Sequence, residues 1–164
     1  MERDEWLRAA WRVTLTREIT SERLVFVDEM GTNTSLHPLY AWPSPKGERA
    51  RCSVPRNRGP NITLLASMTA EGMGACLAVE GATTRIVFEA YIEKVLLPSL
   101  RRGQVVVMDN LSAHKGERVR GLLESAGCEP LYLPSYSPDF SPIEEAFSKL
   151  KGLLRKAEAR SRGH

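Results

Sequence analysis

Two short apolar segments of this chain each end in an aspartate. Leu24-Val25-Phe26-Val27 is followed by Asp28, and Val105-Val106-Val107-Met108 is followed by Asp109. Continuous apolar runs rich in β-branched residues are typical of strands buried on both faces of a sheet. Open α/β sheets bind their ligands beyond the carboxyl ends of such strands. Two carboxylates side by side would repel each other, so the pair predicts a site for a divalent cation.

A third candidate carboxylate is Glu144, in the first turn of a predicted C-terminal helix. A structural explanation competes with a catalytic one, because Ser141 and Glu144 match a capping box with Pro142 in the first helical position. The neighbouring Glu145 lies four residues before Lys149, which favours a helical ion pair. Glu144 instead shares a helical stripe with polar and basic residues, as a metal ligand beside a phosphate backbone would: Ser148, Lys151 and Arg155.

Together, Asp28, Asp109 and Glu144 form a set of hard oxygen donors without an accompanying Cys/His cluster. Such donors favour Mg²⁺ or Mn²⁺ over Zn²⁺, and two such ions would support phosphoryl displacement. Strand-end aspartates also cap turns, so that explanation stays open for each aspartate alone. Asn110 is expected to hold the Asp109 loop through backbone hydrogen bonds. His114 is expected either to cap the following helix or to reach a phosphate. Asn110 and His114 are both expected to support the metal ligands from beside them, without binding the metal themselves.

The charge distribution indicates a polyanionic partner. The net charge is only +3, yet residues 46–58 and 149–164 are each strongly basic with one acid. Such patches on an otherwise acidic chain favour nucleic acid, although a solvated loop and a frayed tail would give the same pattern. The candidate DNA-binding residues are Lys46, Arg49, Arg51, Arg56, Arg58, Lys151 and Arg155.

The elements that would position these residues follow from periodicity and turn signals. An amphipathic helix is predicted over residues 4–20, with Trp6, Leu7, Ala10, Trp11 and Leu15 as its apolar residues. A long Pro-, Gly- and Arg-rich excursion covers residues 37–60. The remaining predictions are strands at 23–28, 61–69, 74–80, 104–109 and 129–133, and helices at 84–97, 115–126 and from Pro142. This order predicts an α/β fold, in which an antiparallel three-stranded ribbon continues into two parallel strands with helices on the faces.

Size and composition limit the remaining classes. At 164 residues the chain is expected to form one domain, and no apolar run approaches the roughly 20 residues that span a bilayer. The three cysteines match neither zinc spacing nor a disulfide framework, which favours reduced thiols in a cytosolic protein. A haloacid-type phosphatase would need a second aspartate in the Asp28-Glu29-Met30 segment. Serine or tyrosine recombination would need arginines around Ser112 or Tyr136.

The candidate residues and their spacing resemble the catalytic domain of mariner-like DDE transposases of bacterial insertion sequences. The resemblance rests on Asp28, on Asp109-Asn110 with His114, and on Ser135-Tyr136-Ser137-Pro138-Asp139 leading to Glu144, and Trp42-Pro43-Ser44-Pro45-Lys46-Gly47 is similar to the family's loop after the first strand. It implies an RNase H-like fold of the retroviral integrase type, with a mixed five-stranded sheet. It also implies metal-dependent cleavage at transposon ends, followed by strand transfer to target DNA.

The resemblance also implies an organisation and partners. Residues 22–152 would be the catalytic domain, residues 1–21 an N-terminal helix or linker, and residues 153–164 a basic tail. Double-stranded DNA is the expected partner, at transposon ends and at the target, in the bacterial cytoplasm and nucleoid. A separate or lost N-terminal helix-turn-helix segment is expected, and a homodimer stays open. The alternative function is a non-catalytic or truncated remnant that binds DNA or an intact transposase.

Overall fold

The computed structural model describes residues 4–33, 59–111, 114–135 and 137–157. Its centre is a mixed five-stranded sheet. The strands are β1 (Leu24–Thr32), β2 (Ile62–Thr69), β3 (Gly72–Glu80), β4 (Val105–Met108) and β5 (Glu129–Tyr132). They lie in the order β3-β2-β1-β4-β5. The pairs β3–β2 and β2–β1 are antiparallel, whereas β1–β4 and β4–β5 are parallel. The α/β class and the ribbon continued by two parallel strands are therefore confirmed.

The first strand is longer than its sequence predicts. The segment Glu29-Met30-Gly31 was expected to leave the sheet after Asp28, but β1 continues to Thr32. The reason is its second neighbour, because Glu29 remains opposite Leu65 and Thr32 opposite Ile62 in the antiparallel pair with β2. Asp28 therefore lies within β1, at the point where pairing with the shorter β4 has ended.

Alternating side chains divide the core between the two faces of the sheet. Val25 and Val27 pack with Phe88 and Tyr91 on one face, and Phe26 packs with helical residues on the other. The first face is covered by α2 (Arg85–Tyr91) and α3 (Glu117–Ser125), and the second by α1 (Glu5–Glu18) and α4 (Ile143–Lys156). The helix begun by α2 widens into a π-helical turn at Ile92–Leu96 and ends at Ser99, so Pro98 lies inside its last turn instead of ending it at residue 97.

The N-terminal helix packs through a different face from the one expected. Trp6 is 88% exposed and Leu7 is also exposed. Trp11 and Leu15 do pack against the core, as predicted, and they share their stripe with the buried Arg8. The helix is thus docked on the sheet by a stripe that contains a charged residue. No helix in the described part of the chain is both long and apolar enough to cross a membrane.

Candidate active site

The two aspartates predicted at strand ends lie on neighbouring parallel strands. Val27 is paired with Met108, so Asp28 and Asp109 are the next residues along β1 and beyond β4. Phe26 lies two residues before Asp28, and Val107 lies two residues before Asp109. Both pack on the face covered by α1 and α4. Because side chains alternate along a strand, Asp28 also belongs to that face. The prediction that these residues lie on adjacent parallel strands is confirmed.

Asp109 is held by local contacts on one carboxylate oxygen. Its Oδ1 accepts a hydrogen bond from the backbone N–H of Leu111 at 3.2 Å and faces Nδ1 of His114. The imidazole of His114 is only 1% exposed, and it stacks on Phe88 with ring centroids 4.0 Å apart. A residue this buried does not extend into solvent toward a phosphate, and the N-cap position of α3 is occupied by Gly116. The helix cap and the phosphate contact expected for His114 are therefore wrong, whereas its contact with Asp109 agrees with the expectation that it supports a metal ligand.

Glu144 is in the first turn of α4, but the capping box predicted for it is not formed. The helix begins at Ile143, and Pro142 occupies the N-cap position without a side-chain cap. The backbone N–H of Glu144 donates to the backbone carbonyl of Ser141 at 3.3 Å, not to its hydroxyl. The proline ring already sets the helical backbone angle at residue 142, so the helix starts without a serine cap.

The ion pair predicted for Glu145 is also absent. Among the ion pairs of the described residues, none joins Glu145 to Lys149. Both side chains are exposed, and an exposed pair gains little once the entropy of fixing two long side chains is included.

One cavity brings the three candidate acids together. It has a volume of about 390 Å³ and is lined by Asp28, Asp109 and Glu144 together with Asn110, Ser135 and Ser137. The Asn110 amide donates to the Ser135 hydroxyl at 3.0 Å. Asn110 was expected to hold the Asp109 loop through backbone hydrogen bonds. It instead ties that loop to the segment that follows β5.

The electrostatics of the cavity are most unfavourable at Asp28. Burial raises its pKa to about 7, and the negative charges of Glu144 and Asp109 add to that rise. The Glu29 backbone N–H, which donates to Asp28 Oδ1 at 2.7 Å, and the nearby His114 act in the opposite direction. A carboxylate that is poorly solvated beside two others is stabilised by a cation, which would restore its ionised form.

The carboxylates of Asp28, Asp109 and Glu144 are the type of ligand that a hard cation prefers. Their positions in this structure, however, are not those of a formed metal site. Within the described residues, no three His, Cys, Asp or Glu side chains are close enough to hold a metal ion together. Asp28, Asp109 and Glu144 share a cavity and interact electrostatically. Their assignment as ligands therefore stays a prediction.

The predicted DNA-binding residues are only partly described. Lys46, Arg49, Arg51, Arg56 and Arg58 lie outside the described residues. Lys151 and Arg155 are both half-buried on α4. They follow Glu144 by two and three helical turns on the same stripe, which is the arrangement expected from the sequence.

Sequence patterns missed a second group of residues beside the cavity. Arg8 donates to the Ser137 hydroxyl at 2.6 Å and to Asp139 at 3.1 and 2.7 Å. A signal for Arg8 exists in the sequence, because it lies three and seven residues before Trp11 and Leu15 and so belongs to their apolar stripe. A charged residue on the buried stripe of a helix is expected to have a buried partner.

Comparisons with known proteins agree with this geometry. The family model of the DDE superfamily endonucleases matches residues 23–163. The Tc1 transposase of Caenorhabditis elegans is 25% identical over 153 residues, which cover 91% of this chain and 54% of the relative. The Tcb1 transposase of Caenorhabditis briggsae is 26% identical over 113 residues, covering 66% of this chain and 41% of the relative. The chain thus spans about half the length of the curated relatives it matches.

Solved structures show the same fold. A Mos1 transposase paired-end complex with the left transposon end superposes with a TM-score of 0.73 at 20% identity, over 89% of this chain and 46% of that one. The catalytic domain of Mos1 mariner transposase gives a TM-score of 0.54 at 18% identity, over 94% of this chain and 69% of that one. The RNase H-like fold implied by the sequence is therefore confirmed. The chain belongs to the DDE superfamily endonucleases, within which its relatives are mariner-like transposases.

Proposed function

We propose that this chain is the catalytic domain of a DNA transposase, which cuts phosphodiester bonds at transposon ends and joins the freed strand to target DNA. The observation that carries the proposal is the convergence of Asp28, Asp109 and Glu144, from three separate elements, on one cavity. Asp109 does cap its own turn through the Leu111 N–H, but no such cap accounts for Glu144, whose capping box is not formed, and a local cap gives no reason for the three acids to meet.

We further propose that these three carboxylates hold Mg²⁺ or Mn²⁺, and that two ions bind. Mos1 mariner paired-end complexes have been solved with Mn and with Mg, and the oxygen donors here suit both ions. When bound, the ions supply activation of the attacking oxygen and stabilisation of the leaving oxygen. The raised pKa of Asp28 fits this role, because a cation would offset the repulsion among the three acids.

The protein's own residues would orient the site. His114 and the Leu111 N–H both contact Oδ1 of Asp109 and thereby restrict the orientation of its carboxylate. Asn110 ties the Asp109 loop to Ser135 across the cavity. The helical rise places Lys151 and Arg155 about 10 and 16 Å from Glu144 along α4. At these positions they would neutralise phosphates of a DNA strand that extends away from the cavity along the helix. The basic residues of 46–58 would extend this contact to duplex DNA.

The partners of the complete protein belong to the same proposal. Double-stranded DNA is the substrate, both as transposon end and as target, which would place the protein with the nucleoid in a bacterial cytoplasm. Recognition of a specific end would come from a helix-turn-helix segment outside residues 22–152, and a second copy of the chain would bind the second end. Mos1 supports this assembly because it was solved as a paired-end complex.

A plasmid assay tests the proposal directly. Purified protein is expected to nick supercoiled plasmid in Mn²⁺ or Mg²⁺ and to leave it intact in chelator. Asp109→Asn should abolish nicking while DNA binding stays intact or tightens slightly, because the substitution removes one negative charge near phosphates. Full nicking by that variant, or nicking in chelator, would contradict the metal mechanism. DNA binding without any nicking would favour a non-catalytic remnant.

A further inference from the structure

Arg8 is a fully buried cation at the interface between α1 and the loop before α4. Its side chain is 2% exposed. One guanidinium nitrogen donates to Ser137 Oγ at 2.6 Å and to Asp139 Oδ1 at 3.1 Å, and the other donates to Asp139 Oδ2 at 2.7 Å. This forked geometry fixes both the position and the rotation of the carboxylate. Hydrogen bonding to Asp139 raises the pKa of Arg8, so the guanidinium stays charged despite its burial.

The same face of α1 also contacts Phe140, the residue after Asp139. Trp11 stacks on Phe140 with ring centroids 5.1 Å apart and planes 9° apart. The guanidinium carbons of Arg8 and Arg12 lie 4.2 and 4.6 Å from the centre of the Phe140 ring. Stacking and cation–π contacts of this kind are directional, so α1 restricts the 3₁₀ turn Pro138–Phe140 through both of its last two residues.

This turn connects to both sides of the candidate active site. Toward α4, Phe140 N–H donates to the Ser137 carbonyl and Glu144 N–H to the Ser141 carbonyl. Toward β4, Ser137 donates to the Ser135 carbonyl at 3.3 Å, and Ser135 Oγ accepts from Asn110. The continuous series of contacts therefore runs from Arg8 to the turn that begins the Glu144 helix and to the neighbour of Asp109.

We infer that Arg8 is a positioning residue for the third carboxylate, acting through Ser137 and Asp139 on the start of α4. The inference rests on the proposed function, and it extends the catalytic unit to a helix that precedes residues 23–163, the segment matched by the family. Stability alone is a weak explanation for this ion pair, because the cost of desolvating the buried Arg8 offsets much of its attraction to the half-exposed Asp139. Packing of Ile143 and Phe147 docks the Glu144 helix on the sheet, and the forked contact to Asp139 adds a directional constraint on the turn that begins this helix.

Two variants and one control separate positioning from simple stabilisation. Arg8→Lys keeps the charge but, as a point donor, loses the fork, and Asp139→Asn changes a half-exposed carboxylate into an isosteric amide. Well below the melting temperature, both should raise the half-saturating Mn²⁺ concentration for plasmid nicking and lower the saturated rate by about tenfold or more. The double variant should lose no more than the worse single variant, because the residues act as one unit. Arg17→Lys, on the exposed side of the same helix, should resemble the wild type.

Hydrogen exchange gives a readout independent of cleavage. In Arg8→Lys and Asp139→Asn, amides of residues 137–147 should exchange faster than in the wild type, whereas those of β4 should be unchanged. Variants with lowered melting temperatures but wild-type exchange and Mn²⁺ dependence would overturn the inference and leave only a stabilising role. If the wild type itself fails to nick, the proposed function fails, and the exchange data still decide whether Arg8 orders the Glu144 helix. If Arg8→Lys does not fold, Asp139→Asn supplies the same measurements.

Discussion

The imidazole of His114 lies against the carboxylate of Asp109, with Nδ1 facing Oδ1. The face of the same ring stacks on Phe88. The Tyr132 hydroxyl donates to the backbone carbonyl of His114 at 3.1 Å. The orientation of Asp109 thus depends on residues of α2 and β5 as well as on its own loop. These contacts restrict the orientation of one candidate metal ligand, and neighbouring groups that do so increase metal affinity.

Replacing His114 tests this support. His114→Leu keeps an apolar side chain against Phe88 but removes the nitrogen that faces Asp109. We expect the half-saturating Mn²⁺ concentration for plasmid nicking to rise by about tenfold or more. His114→Asn places an amide nitrogen near the position of Nδ1, so it should retain more metal affinity than the leucine variant. An unchanged Mn²⁺ dependence in His114→Leu would assign His114 to packing alone.

The elements that sequence predicted well are those set by local pattern. The β-branched run before Asp109 is completely buried in β4, and the alternation in residues 61–69 corresponds to β2. The helix predicted from Pro142 corresponds to α4, in which the apolar Ile143 and Phe147 are buried. In each case the side chains that decide the element are close together along the chain, so periodicity alone predicts the strand or helix. It does not predict which side of β2 is the more buried, because Thr63, Leu65 and Ser67 are buried while Ile62, Leu64 and Met68 are half-buried.

The features that sequence did not predict depend on distant partners. The extension of β1 beyond Asp28 requires β2, which supplies hydrogen bonds after β4 has ended. The burial of Arg8 requires Asp139, 131 residues away. The stacking of His114 requires Phe88. Short-range patterns contain no information about such pairs. The spacing of the three acids and the supporting residues Asn110 and His114 were therefore predictable, whereas the contacts that these residues make and the part played by Arg8 were not.

Asp28 should make the stability of the metal-free protein depend on pH. Its pKa is raised from 3.8 to about 7 in the folded state, so the folded protein binds this proton more tightly than the unfolded protein does. The contribution of this group to stability is therefore greatest below about pH 4 and is lost as the pH rises toward 7. Asp28→Asn stays neutral and avoids the loss, so in chelator its stability relative to the wild type should rise between pH 5 and pH 8, by about 2.5–3 kcal/mol.

Denaturant unfolding at the two pH values measures this difference. In Asp28→Asn the new amide oxygen can still accept from the Glu29 N–H, which makes the variant a close steric match. Adding Mn²⁺ at pH 8 should stabilise the wild type and have little effect on Asp28→Asn. If the stability difference between Asp28→Asn and the wild type is the same at both pH values, the pKa of Asp28 is not raised in the folded protein.

DNA binding by this chain should be sensitive to salt and nearly independent of sequence. Each phosphate neutralised by a basic side chain contributes about −0.9 to the slope of log affinity against log salt. Lys151→Gln with Arg155→Gln should therefore make the slope less steep by up to about 1.8, as measured by fluorescence anisotropy with a duplex and a scrambled duplex. Arg17→Gln serves as the control, since it removes an exposed charge from α1. Strong preference for one duplex would reveal a recognition element within this chain.

Glu144 and Glu145 form a matched pair for testing the third carboxylate. Both are exposed and lie in the first turn of α4, so each interacts similarly with the helix dipole, by about 0.3–1 kcal/mol. Neither has the cap or ion pair that its sequence predicted, so at pH 5, where Asp28 is protonated in the folded protein, Gln at either position should change the melting temperature little and equally. Only Glu144 shares the cavity with Asp28 and Asp109.

Substitution of Glu144 and substitution of Glu145 should therefore have clearly different effects on activity. Glu144→Gln removes the charge that a cation would need and should abolish Mn²⁺-dependent plasmid nicking, whereas Glu145→Gln should retain it. Because Glu144 contributes to the raised pKa of Asp28, Glu144→Gln should also weaken the pH dependence of stability described above. An inactive Glu145→Gln beside an active Glu144→Gln would show that the third ligand is misassigned by one residue. Nicking by both variants would remove the third carboxylate from the mechanism, since no charge in the first turn of α4 would then be required.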